Sequence, residues 1–175
     1  MINYEKEYKN SRNVCGEPFP EIVEFFENYD DECATVLDSG CGQGRDALFI
    51  ARKGHSVLGV DTAQTGIEQM LEEAESENLA VDGVIADITN YEAPDLYNIV
   101  VIDSVLHMLQ NDEIRNAVLE KSSNAVCKAG FILIADTPKH KSLICDYFKS
   151  VPKVWKIIKN EKNFFFAHKI ALVKS

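Results

Sequence analysis

Seven residues, Asp38-Ser39-Gly40-Cys41-Gly42-Gln43-Gly44, have the types and spacing of a ligand-holding turn. Glycines at alternate positions permit a tight turn and let a ligand approach bare backbone. The apolar run Thr35-Val36-Leu37 precedes the turn, and a helical pattern with Ala47, Ile50 and Ala51 on one face follows it. Asp61 closes a second apolar run, Ser56 to Val60. It lies about 20 residues past the first glycine, the usual place for an acid that grips ribose hydroxyls. The plainer alternative is that the glycines only allow helix–strand packing and Asp61 only caps the next helix. The joint presence of strand, turn, helix and acid argues against it.

Charge narrows the ligand. A dinucleotide brings a pyrophosphate to the helix N-terminus, and an ionised Asp38 just before the first glycine would repel it. S-adenosylmethionine brings an ammonium, a carboxylate and a sulfonium instead. Asp38 suits the ammonium, and the helix N-terminus suits the carboxylate. The spacing is also GxGxG rather than the GxGxxG of dinucleotide folds. The expected cofactor is therefore S-adenosylmethionine, with S-adenosylhomocysteine as its product.

Val36 to Ala47, containing this turn, resembles the first motif of class I S-adenosylmethionine-dependent methyltransferases. Gly59-Val60-Asp61 is similar to the second motif, Ala86-Asp87-Ile88 to the third and Asp103-Ser104-Val105-Leu106-His107 to the fourth. Gly44-Arg45-Asp46, with Tyr4-x-x-x-Tyr8 and Gly16-Glu17-Pro18-Phe19-Pro20, resembles the small-molecule branch that includes tellurite-resistance and thiopurine-type methyltransferases. Ser39 and Cys15 depart from that pattern, which has an aliphatic residue and a tryptophan there. The resemblance implies that Asp38, Gly40 and Gly42 line the methionine part, with Cys41 and Gly44 of the same turn also at the cofactor. It implies Asp61 on the ribose, Thr62 beside the adenine, and Asp87 and Ile88 on the adenine amino group and ring. Asp103 and Ser104 would lie under the methionine, Arg45 near its carboxylate, and Tyr4 and Tyr8 on an N-terminal lid. The acceptor it suggests is a soft nucleophile, a thiol or chalcogen oxyanion.

Methyl transfer asks a protein for proximity, alignment and exclusion of water. A soft, already ionised acceptor needs no base, whereas a hydroxyl or amine does. His107, four residues past Asp103, is placed to serve as that base or to touch the substrate; it could equally pack or cap the following segment. His140 and His168 are weaker candidates, and His168 falls in a predicted tail strand. Cys41 reads as a small buried filler and Cys15 as a loop thiol. Tyr4 and Tyr8 are either lid residues or the apolar edge of a docking helix.

The elements that would position these groups alternate. Ile22, Phe25, Phe26 and Tyr29 predict a helix after Pro20, and Gly54 should end the helix that follows the glycine turn. Ile67, Met70, Leu71 and Ala74 mark a further helix, with Thr65 and Glu68 at capping-box spacing. Strands are predicted at Val84–Ala86, Asn98–Ile102 and Gly130–Ala135, with a helix over 112–128. Val154–Ile158 and Phe164–Val173 read as two last strands. The expected fold is α/β: a doubly wound, Rossmann-like, mostly parallel sheet with an antiparallel C-terminal strand and helices on both faces. One domain is expected over 1–175, with 1–30 as a helical lid segment.

The chain has 175 residues, 46% of them hydrophobic, and a net charge of −10. That acidity argues against a nucleic-acid partner. The basic stretches Lys139–Lys141 and Lys153–Lys162 read as solvated charges or as attraction for an anionic substrate. The absence of a long apolar run argues against a membrane partner. Five scattered cysteines without a CxxC pair suggest no zinc or other metal site and a reducing cytoplasm. The expectation is a cytoplasmic enzyme, monomer or homodimer, acting on a small molecule. A non-catalytic S-adenosylmethionine-binding regulatory protein and a nicotinamide-dependent oxidoreductase are the alternatives.

Overall fold

The computed structural model describes residues 3–31, 33–151 and 154–170. It comprises two compact units, Met1–Tyr91 and Glu92–Ser175.

The first unit opens with α1 (Tyr4–Asn10) and α2 (Pro20–Glu27) and continues as β1 (Thr35–Ser39), α3 (Arg45–Arg52), β2 (Ser56–Asp61), α4 (Gln64–Glu77) and β3 (Val81–Ile85). Its strands lie in the order β3-β2-β1, all parallel, with Asp38 beside Gly59 and Asp61 beside Ile85. Parallel strands need helical crossovers, and α3 and α4 supply them. Their buried residues Ile50, Ala51, Ile67 and Met70 form a core with Val36, Val57 and Val60. Pro20 starts α2, which buries Ile22 and Phe26. Tyr29 falls just past that helix and stacks on Phe25. Gly54 follows α3 with a φ of 98°, as a helix stop requires.

Two expectations for this unit are corrected. The third strand is Val81–Ile85 rather than 84–86; Asp82 and Gly83 interrupt its apolar pattern, and it is only half-buried. The capping box at Thr65 and Glu68 does not form. Helix α4 begins at Gln64 after Ala63, which offers no side-chain cap, so Thr65 lies inside the first turn. The cap comes from another helix: Glu5 of α1 accepts from both the Thr65 N–H (3.0 Å) and its hydroxyl (2.7 Å).

The second unit contains β4 (Tyr97–Asp103), a 3₁₀ turn (Leu106–Met108), α5 (Asp112–Ala125) and β5 (Val126–Ala135). A second 3₁₀ turn (Pro138–His140), α6 (Lys141–Ser150), β6 (Trp155–Asn160) and β7 (Phe164–Lys169) follow. Its strand order is β4-β5-β7-β6: β4 and β5 are parallel, and β7 runs antiparallel to both its neighbours. Asn111 caps α5 by accepting from the Ile114 N–H. Lys169 closes the other end by donating to the Ser123 and Val126 carbonyls. That helix stops at Ala125, not Lys128, because β5 starts at Val126, ahead of the expected Gly130. Helix α6 was not expected; its lysines conceal buried Ile144, Cys145 and Phe148. Lys153 and residues 171–173 of the expected last strand lie outside the described residues. Among the described residues no helix is long and apolar enough to cross a membrane.

Candidate active site

The carboxyl ends of β1, β2 and β3 carry the predicted cofactor residues. Asp38, 2% exposed, is the penultimate residue of β1. After Ser39 the chain turns through Gly40, Gly42 and Gly44 with φ of 87°, 54° and 82°, left-handed values that cost glycine nothing. The N–H groups of Gly40 and Cys41 both donate to the Val60 carbonyl (2.7 and 3.2 Å), so the turn folds onto β2.

Asp61 ties this turn to the next helix. One carboxylate oxygen accepts from the Gly42 N–H (2.9 Å) and the other from the Ala63 N–H (2.8 Å). A carboxylate has about four acceptor positions, so two bonds leave capacity for a ligand hydroxyl. Asp61 thus does what the plainer alternative demanded and still has room for the sharper role.

The glycines differ in what surrounds them. A Cβ on Gly42 would meet the Tyr8 hydroxyl at 2.5 Å, and one on Gly66 would meet the Gly42 carbonyl oxygen at 2.7 Å. A Cβ on Gly44 would run into Met70, with Sδ at 2.9 Å. Gly44 therefore serves helix packing, whereas Gly42 faces Tyr8. Cys41 is buried beside Gly59, and burial together with Asp38 and Asp61 pushes its thiol pKa up. That makes it a filler rather than a nucleophile.

Tyr4 and Tyr8, the two residues expected on a lid, are docked. Tyr8 is buried, with its ring 5.6 Å from that of Tyr4. Burial first, then Cys15 and Asp61, raises the pKa of its phenol. Tyr4 is half-buried, and its phenol is raised in the same direction by burial and by Cys15. Two glutamines clamp the segment. Gln69 donates to the Tyr8 carbonyl (3.0 Å), and Gln43 donates to the Ser11 carbonyl (2.9 Å) and accepts from the Val14 N–H (2.9 Å). Arg45 donates to the Cys15 carbonyl, pairs with Asp46 (3.0 Å) and lies 5.0 Å over the Phe19 ring.

Thr62 and Asp87 are exposed, and Ile88 is half-buried. Asp87 lies two residues past β3 and accepts from the Thr89 N–H (2.9 Å). In the second unit Asp103 ends β4, buried, and accepts from the Ser104 hydroxyl (2.7 Å). Ser104 holds a φ of 59°, rare for a non-glycine residue and a mark of functional turns.

His107 sits in the 3₁₀ turn after β4, and its Nδ1 is 3.3 Å from Asp136. Sequence reasoning missed Asp136. Its signal was present: an acid directly after an apolar run, as at Asp38, Asp61 and Asp103. His140, buried, contacts the other Asp136 oxygen (3.3 Å). His168 stacks on Phe131 and donates to the Ala129 carbonyl, a structural role. The open groove between α5 and α6, lined by Asp112, Asn116, Asp146 and Tyr147, contains none of the expected site residues.

The first unit suits a cationic adenosine ligand. Asp38, Asp61 and Asp87 stand at one end of adjoining parallel strands, around a turn whose N–H groups are partly spent on Val60 and Asp61. A row of acids complements an ammonium and a sulfonium and opposes a pyrophosphate.

Comparison with known proteins agrees. Residues 36–130, more than half of the chain, match the family described as "Methyltransferase domain". A 2-heptyl-1-hydroxyquinolin-4(1H)-one methyltransferase of Mycobacteroides abscessus is 36% identical over 101 residues, covering 57% of this chain and 44% of that protein. A probable S-adenosyl-L-methionine-dependent methyltransferase, TehB of Haemophilus influenzae, is 26% identical over 144 residues, covering 77% of this chain and 50% of that protein. The chain thus spans half or less of these curated relatives. The structure of magnesium protoporphyrin IX methyltransferase from Synechocystis PCC 6803, with bound SAM, superposes with a TM-score of 0.74. It covers 97% of this chain and 98% of that one at 13% identity, a likeness of fold. The expected Rossmann-like architecture is therefore present, and the chain belongs to the methyltransferase-domain family.

Proposed function

We propose that this chain moves a methyl group from S-adenosylmethionine to a small-molecule acceptor. The observation that carries the reading is the left-handed glycine turn braced by Asp61 at the ends of parallel strands. When bound, the cofactor supplies an electrophilic methyl group on a sulfonium. Asp38, Gly40 and Gly42 would hold its methionine part, Asp61 its ribose, and Thr62, Asp87 and Ile88 its adenine. For Asp103 and Ser104 a methionine contact rests on the resemblance of their motif alone. Tyr4 and Tyr8, on a segment that Gln69 holds at Tyr8 and Gln43 at Ser11, would exclude water from the turn.

The acceptor is a small molecule that approaches with a nucleophilic heteroatom. One relative is named for a hydroxyquinolinone. The soft nucleophile, a thiolate or chalcogen oxyanion, rests on the resemblance to the tellurite and thiopurine branch. Calorimetry with S-adenosylmethionine, S-adenosylhomocysteine and NAD tests the cofactor. The first two should bind and NAD should not; binding of NAD alone would refute the reading. A panel of thiols, tellurite, phenols and amines, assayed for S-adenosylhomocysteine release, tests the acceptor. Cofactor binding without turnover of any acceptor would favour a regulatory protein.

A further inference from the structure

We infer that Met70 of α4 is a positioning residue for the cofactor: its thioether, laid across Gly44, Gly59 and Gly83, holds the far end of the glycine turn at the height that S-adenosylmethionine needs. The inference rests on the cofactor reading above and concerns the first unit alone.

The two ends of the turn are held differently. Gly40 and Cys41 donate to the Val60 carbonyl and Gly42 to Asp61, so hydrogen bonds fix the near end to β2. The bonds of Gly44 stay within its own segment: its N–H donates to the Cys41 carbonyl (2.8 Å), and its carbonyl accepts from the Leu48 N–H (2.9 Å). Met70 supplies the contact from outside. A Cβ on Gly44 would collide with Met70 Cγ and stand 2.9 Å from Sδ.

The same side chain runs on over the sheet. A Cβ on Gly59 would stand 3.0 Å from Met70 Sδ and 2.8 Å from Cε, and one on Gly83 would stand 3.3 Å from Cε. Gly59 is the register partner of Asp38 on one side and of Gly83 on the other. Two bare positions in one row therefore make a slot that leads from Asp38 to β3, and Met70 fills it, fully buried. Cys41 Sγ crowds the same space, 2.7 Å from a Cβ on Gly59, so turn and helix meet over that glycine. An unbranched thioether with three rotatable bonds suits a slot that bends from a turn onto a sheet. Its contacts fade steeply as a gap opens, so a shorter side chain lets Gly44 settle toward α4. Backbone that cradles a ligand tolerates a displacement of only about 0.5 Å. Ile67, on the same helix and equally buried, provides the contrast. It packs on Gly83, where a Cβ would stand 2.8 Å from its Cγ2, whereas the atoms nearest to Gly42 and Gly44 are those of Tyr8 and Met70.

A graded series at position 70 is the test: Met70→Leu, Met70→Val and Met70→Ala, with Ile67→Ala as the control. Calorimetry reads the affinity for S-adenosylmethionine, and hydrogen exchange of the Cys41 to Gly44 amides reads the turn in cofactor-free protein. Affinity should fall in the order Met, Leu, Val, Ala, with Met70→Ala raising Kd between about 10-fold and about 10²-fold, the scale on which a misplaced support acts. Exchange of the turn amides should quicken in the same order. Ile67→Ala should lower the melting temperature comparably, because it too empties a buried site, yet leave Kd and turn exchange near wild type. If Met70→Ala does not fold, the order Met, Leu, Val still decides. Unchanged affinity across the series, losses that do not follow side-chain reach, or an equal loss in Ile67→Ala overturns the inference. Wild-type protein that fails to bind S-adenosylmethionine, while turn exchange responds to position 70 as expected, would instead overturn the cofactor reading.

Discussion

Asp61 accepts from two backbone N–H groups that belong to different segments, the glycine turn and the start of α4. Its removal should therefore act twice, on ribose hydroxyls and on the shape of the turn. Asp61→Ala is expected to weaken S-adenosylmethionine binding by roughly 1.5–3 kcal/mol, the range for a hydrogen bond to a charged group. Asp61→Asn, which keeps one acceptor oxygen, should lose less. Calorimetry on folded variants is the measurement, and unchanged affinity in Asp61→Ala would remove Asp61 from the site. Gly42 poses a different question, since the space beside it is taken by the Tyr8 hydroxyl. Gly42→Ala should impair binding, both through the φ of 54° and through displacement of Tyr8. Adding Tyr8→Ala tells whether the glycine makes room for the lid or for the ligand. A ligand role predicts that the double variant still binds poorly; full recovery would assign Gly42 to the lid.

Between elements, the contact of α1 with α4 is an ion-assisted cap. Lys9 first, then Thr65, holds the Glu5 carboxyl at a pKa of about 2. A carboxyl lowered in the folded state contributes above its unfolded value and loses that contribution as pH falls through the folded one, so the latch holds at neutral pH. Glu5→Gln should speed hydrogen exchange of the Thr65 amide and of Tyr8 to Ser11; unaltered exchange would show that α1 is held by Gln43 and Gln69 alone. His55 joins α2 to β1 in the opposite sense. Its Nδ1 accepts from the Ala34 N–H (3.1 Å), its ring packs on Phe26, and burial lowers its pKa. The neutral form is the folded form. Its stabilisation is complete above the unfolded value of about 6.5 and is lost as pH falls through the lowered folded one. Between about pH 8 and about pH 5.5 the melting temperature should fall further in wild type than in His55→Gln; equal falls would free His55 of that role.

These elements also show what a sequence makes legible. Strands β1, β2 and β4 each carry a buried apolar stretch, and the glycine turn and the acids follow in order. Strand β3 is half-exposed, so Asp82 and Gly83 hide it. Helix α6 buries Ile144, Cys145 and Phe148 among polar and charged residues, and only the burial reveals it. Asp136 was readable as an acid after a strand, but its pairing with His107 joins positions 29 residues apart, which no local pattern specifies. Likewise Glu5 caps a helix 60 residues away, where local spacing pointed to Thr65 and Glu68.

For the whole molecule, charge and ligand binding make one connected demand. The chain carries 28 acidic and 18 basic side chains. Such self-repulsion disfavours polyanions, while the acids at the ends of β1 and β2 accept a cationic ligand at close range. A ligand that binds only the folded chain stabilises it by mass action, about 2.7 kcal/mol at a hundredfold excess over Kd. For a domain of this size each kcal/mol raises the melting temperature by roughly 2–4 °C, so the expected rise is about 5–10 °C. S-adenosylmethionine and S-adenosylhomocysteine should both produce a saturable rise of that order, S-adenosylmethionine through the additional contact of its sulfonium charge with the acids. NAD at the same concentration should leave the transition in place, because its pyrophosphate meets Asp38 rather than a free helix terminus. Asp61→Ala should shrink the rise in step with its calorimetric loss, since both measure the same binding free energy. Thermal melts across a concentration series of each ligand are the check. A rise with NAD matching that with S-adenosylmethionine would mean that the acidic row does not discriminate by charge, and the assignment of Asp38 to the ammonium would fall with it.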